Sequence, residues 1–96
     1  MEQAVISLEN VWSFENGYRG ILDFSVVAGC AEESPGNRIS ARAVEGADGE
    51  INILHEDRLL SFLSAYSDNA SETLEWLRRM LGWHLDYFRA PALAIA

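Results

Sequence analysis

The run from Ser71 to Arg89 constrains the fold of this chain more than any other stretch. At 100° per residue, Leu74, Leu77, Leu81, Leu85 and Phe88 fall in one stripe of an amphipathic helix. Trp76, Met80, Trp83 and Tyr87 fall in an adjoining stripe. The two together make an apolar arc wider than half the circumference, with Thr73 and His84 inside it. Glu72, Glu75, Arg79 and Asp86 hold the opposite side. A sheet can cover one stripe but hardly both. The leucine stripe with Phe88 is expected to be buried against a sheet. The Trp76, Met80, Trp83 and Tyr87 stripe is expected to form a second contact, in part with another chain. Trp, Tyr and Met are enriched at interface centres.

Upstream the period changes from 3.6 to two, which means strands. Ala4, Ile6, Leu8, Trp12 and Phe14 share one face of the first strand, and Tyr18, Leu22, Phe24, Val26 and Ala28 share one face of the second. Two hairpin loops compete around Glu15-Asn16-Gly17. A two-residue Asn16-Gly17 turn pairs Phe14 with Arg19. A three-residue loop, with Gly17 at positive φ, pairs Phe14 with Tyr18 and Leu8 with Phe24, and sets Trp12 over Gly20. Matching the apolar faces selects the second. That register also puts Glu9 directly opposite Asp23. Like charges facing across strands are unfavourable, so Arg38, Arg42, water, a cation or a partner's basic group should compensate.

Gly29 to Asn37 reads as a loop with strong turn chemistry at Ser34-Pro35-Gly36-Asn37, carrying Cys30 and the Glu32-Glu33 pair. A third strand turns Ile39, Ala41 and Ala43 inward and Arg38, Ser40 and Arg42 outward. A three-residue loop at Ala47-Asp48-Gly49 then pairs Ala43 with Ile53, in a short fourth strand from Glu50 to Leu54. His55-Glu56-Asp57 opens a helix whose buried stripe is Leu59, Phe62, Leu63 and Tyr66; acids in a first turn suit its macrodipole. Ser67-Asp68-Asn69 breaks it, and Asn69 with Glu72 has the spacing of a capping box for the main helix. Pro91 ends that helix.

Four strands followed by two helices indicate α+β: a four-stranded antiparallel sheet of two hairpins, with two C-terminal helices packed on one face. A chain of 96 residues forms a single domain. Within it, 1–55 is the sheet, 56–89 the helical part and 90–96 an apolar tail.

Charge is unevenly placed. Residues 1–57 hold eleven acids and three arginines; residues 58–96 hold four of each. The sheet half thus carries the whole net charge of −8. Such a field opposes direct binding to nucleic acid or an anionic membrane and favours a basic protein surface. There is no basic start followed by an apolar run, and no stretch approaches the ~20 apolar residues of a membrane span. One cysteine excludes an internal disulfide and fits a reducing cytoplasm.

Bond-making chemistry finds little to work with. Cys30, His55 and His84 are the only Cys and His residues, and no local pattern unites them as nucleophile and base. His55, Glu56 and Asp57 are adjacent and do not converge on one ion unaided. Gly17, Gly36 and Gly49 each have a turn role, so no phosphate-cradling loop remains. No metal, cofactor or catalytic residue is expected. The expected function is that of a small acidic, non-enzymatic, cytoplasmic protein-binding module. The most concrete form is an inhibitor or immunity-type protein masking a basic, nucleic-acid-handling surface, as small acidic anti-CRISPR and toxin-immunity proteins do as a class; the analogy is one of charge and size. The expected partner-binding residues are Glu9, Asp23, Glu32, Glu33, Trp76, Met80, Trp83 and Tyr87. The alternative is a homodimeric structural or assembly subunit using the Trp76/Trp83 helix face.

Overall fold

The computed structural model describes residues 5–16, 19–29 and 37–89. Strands β1 (Val5–Asn16), β2 (Arg19–Gly29), β3 (Arg38–Glu45) and β4 (Ile51–Ile53) precede helices α1 (Glu56–Ser64) and α2 (Ala70–Arg89). The strands form one antiparallel sheet in the order β1-β2-β3-β4, and α2 packs against it with α1 alongside. The architecture is the α+β arrangement that the order of sequence patterns requires. No described helix is long and apolar enough to cross a membrane.

The core lies between the sheet and the helices. Leu22, Phe24, Val26 and Ala28 of β2, with Ile39, Ala43 and Ile53, face Leu59 and Leu63 of α1 and Leu74, Leu77, Leu81 and Leu85 of α2. Each fully buried leucine or valine contributes about 1.5–3 kcal/mol relative to exposure. Phe88 departs from the expectation: it is partly exposed. It stands one residue before Arg89, whose ion pairs fix the last turn of α2.

The second hairpin forms as its sequence requires. Ala43 pairs with Ile53, and the Gly46 N–H donates to the Glu50 carbonyl at 2.8 Å across a three-residue loop. Gly49 closes it at φ 83°. Gly17, expected to do the same in the first hairpin, lies outside the described residues.

The first hairpin overturns both registers weighed from the sequence. Asn16 pairs with Arg19, Phe14 with Ile21 and Trp12 with Asp23, while beyond a register shift Glu9 pairs with Ser25 and Leu8 with Val26. The shift is a bulge centred on Asn10, whose φ of 53° lies in the left-handed region. Asn is one of the few residues that tolerates this region. A bulge adds one residue to one strand, so every side chain after it changes face. Ile6 and Leu8 point toward the helices. After the bulge Val11 packs on the core, and Trp12 and Phe14 point the other way. Trp12 is therefore not over Gly20. The space Gly20 leaves is taken by Leu85: a Cβ there would sit 2.6 Å from its Cδ1.

Candidate interaction surfaces

With both helices on one side, the other face of the sheet is open. Its rows across β1, β2 and β3 are Glu9, Ser25, Ser40; then Trp12, Asp23, Arg42; then Phe14, Ile21, Val44. Glu9 and Asp23 are on this face as the strand pattern requires, but not opposite each other: Glu9 pairs with Ser25 and Asp23 with Trp12. Each acid has its own arginine. Arg38 donates to Glu9 at 3.1 Å, and Arg42 grips Asp23 with two hydrogen bonds of 2.6 and 2.9 Å. The Arg42 hydrogen bonds hold the Asp23 carboxyl below its ordinary range. The same guanidinium lies 5.6 Å from the centre of the Phe14 ring, within cation–π range. Trp12, on the edge strand β1, stands beside these pairs in the row of Asp23 and Arg42, with 69% of its surface exposed. The sheet face thus carries two acid–arginine pairs beside an exposed indole. Glu32 and Glu33, the other two acids expected here, lie outside the described residues.

The second surface is on α2. Glu56, at the start of α1, pairs with Arg78 at 2.5 Å, and Arg78 also pairs with Glu75. The nine residues of α1 therefore run beside the first half of α2 and return to its start. The second apolar stripe divides accordingly. Trp76 is half-buried and packed on the core, and Met80 is half-buried. Trp83 and Tyr87, beyond the reach of α1, are 64% and 77% exposed. His84 is exposed beside them.

At one end of the sheet the bulge has a further effect: it turns Glu15 toward the helices. Arg89 donates from Nε to Glu15 at 2.7 Å and from Nη1 and Nη2 to Glu45 at 2.9 and 2.5 Å. The Gly20 N–H also donates to Glu45, at 3.1 Å. The Arg89 hydrogen bonds first, and the Gly20 amide second, hold the Glu45 carboxyl down at about 2. One guanidinium in this way joins β1, β3 and the last turn of α2. Beside it is an open groove of about 600 Å³ lined by Glu15, Arg19, Glu45, Gly46 and Arg89. Three of those charged groups are already committed to one another, so the groove is a consequence of the clamp rather than a ligand site.

Among the described residues no group of three or more His, Cys, Asp or Glu side chains is placed to hold a metal ion. His55 opens α1 at φ 56°, and Cys30 lies outside the described residues. What the described surface offers is aromatic area and paired charge, which suit contact with another macromolecule. No protein-family model, no curated protein and no solved structure matches this chain.

Strand periodicity misplaces both Trp12 and Phe14. The signal was Asn10, a polar residue on what unbroken alternation makes the core face of β1, followed by apolar Val11 on the outer face. Together they mark the parity change.

Proposed function

We propose that this chain is a small acidic, non-enzymatic protein-binding module of the cytoplasm, an inhibitor or immunity-type protein that covers a basic, nucleic-acid-handling surface of its partner. The observation that carries this is the exposed Trp12 on the open sheet face, opposite Asp23 on a face that also carries Glu9, Arg38 and Arg42. Trp and Arg dominate binding hot spots, where a desolvated aromatic anchor is ringed by polar contacts. The −8 balance supplies long-range attraction toward a basic partner and speeds encounter. Glu9 and Asp23 are neutralised locally by their arginines, so their expected role is orientation: a partner's Arg or Lys can share the carboxylates. Trp12 takes over as the anchor.

The test is capture from the native host, with the wild type and Trp12→Ala as parallel baits at low and high salt. Support is a protein with a basic, nucleic-acid-binding surface that the wild type retains, that Trp12→Ala loses, and that salt releases. Equal retention by both baits overturns the Trp12 face. Retention unchanged by salt overturns the electrostatic mechanism, because exposed charges are screened within ~8 Å at physiological ionic strength.

A further inference from the structure

The exposed end of α2 is a separate surface with a different charge character. Trp76, Met80, Trp83 and Tyr87 are spaced by four, three and four residues, the alternation of a helix–helix seam. Trp83 lies about 160° round the helix from Leu81, which is fully buried. The exposed half of the seam, at Trp83 and Tyr87, therefore faces away from the sheet, while Trp76 at its other end packs on the core. Arg79 and Asp86 run along one flank of it, each just before Met80 and Tyr87. They are seven residues apart, which places them on the same side of the helix about 10 Å from each other. Both are exposed, and among the described residues neither pairs with an opposite charge.

We infer that this face takes a second copy of the chain, with the two α2 helices antiparallel. In that arrangement Trp83 of each copy packs beside Met80 of the other. A two-fold axis keeps each flank facing itself with the direction reversed, so Arg79 of each copy meets Asp86 of the other, forming two ion pairs. Charge selects this occupant over the basic partner of the sheet face. Residues 58–96 are electrically balanced, and beside the exposed half of the seam this flank presents Arg79 and Asp86, with Glu72 and Glu75 lying nearer the start of α2. A basic surface is opposed at Arg79, whereas a two-fold copy is complementary at both Arg79 and Asp86. Two-fold homodimers are also the commonest closed assembly. A contact over about three helical turns falls below ~1,200 Å² in total, the low end of specific interfaces, where associations are weak or transient.

The inference does not depend on the sheet-face function, since the two surfaces are on opposite sides of the molecule. Sedimentation velocity of the full chain at micromolar concentrations tests it. The wild type should sediment as a monomer–dimer equilibrium. Trp83→Ala should raise the dimer Kd at least about tenfold while the circular dichroism spectrum stays unchanged. Arg79→Glu sets like charges against each other at both positions and should also weaken the dimer, and Arg79→Glu with Asp86→Arg should restore it. A wild type that is monomeric throughout, or a dimer indifferent to Trp83→Ala, overturns the self-contact. A dimer that Arg79→Glu weakens and the double swap fails to rescue overturns the antiparallel register.

Discussion

The Arg89 clamp offers the sharpest energetic test of how this fold is closed. Arg89→Ala removes three charge-assisted hydrogen bonds, two to Glu45 and one to Glu15. The two pairs are not equal. The Glu15 side chain is 38% exposed, and an exposed pair contributes 0–1 kcal/mol. Glu45 is only 16% exposed and is held bidentately. Its carboxyl falls from 4.5 to about 2, which at about 1.4 kcal/mol per unit corresponds to roughly 3 kcal/mol, of which the part supplied by the Gly20 N–H survives the substitution. Arg89 itself is 36% exposed, and solvent screening reduces the rest to about 1–2 kcal/mol. Adding the lost packing of the arginine stem, Arg89→Ala should cost about 2 kcal/mol at pH 7 by urea unfolding. The pH dependence fixes the cause. Because the folded-state value lies below the unfolded one, the Glu45 contribution is complete above pH 4.5 and disappears as the pH falls toward 2. The gap between wild type and Arg89→Ala should therefore close in acid, and Glu45→Gln should show less pH dependence over the same window. A gap under about 0.5 kcal/mol at pH 7, or one undiminished at pH 2.5, would refute the electrostatic account.

Two further substitutions separate packing from backbone geometry, both read by urea unfolding. Leu81→Ala, at a site with no exposed surface, should cost ~2–5 kcal/mol through lost transfer energy and a cavity beneath α2. Gly49→Ala should cost about 1 kcal/mol: a Cβ there meets nothing within 4 Å, so only the positive φ resists it.

How much of this molecule the sequence discloses depends on how local the deciding physics is. The leucine stripe of α2, the alternation of β3, the three-residue loop at Gly49 and the α+β order all follow from patterns within one element or one turn. They were legible because a side chain's face there is set by residues two to four positions away. Even the Asn10 bulge has a local trace, in the misplaced polarity of Asn10 and Val11, though the pairing with β2 decides which residue is extruded. The rest needed the tertiary structure. Whether Glu9 and Asp23 form an unrelieved acidic pair or two separate ion pairs depends on Arg38 and Arg42 arriving from β3. The meeting of Arg89 with Glu15 and Glu45 joins residues up to 74 positions apart, and no periodicity records such a contact. The division of the second α2 stripe into half-buried Trp76 and Met80 and bare Trp83 and Tyr87 was likewise invisible in the wheel. It arises because α1 ends its course after nine residues while α2 continues for twenty. Amphipathicity determines which residues can be covered; the length and placement of the neighbouring element determine which of them are.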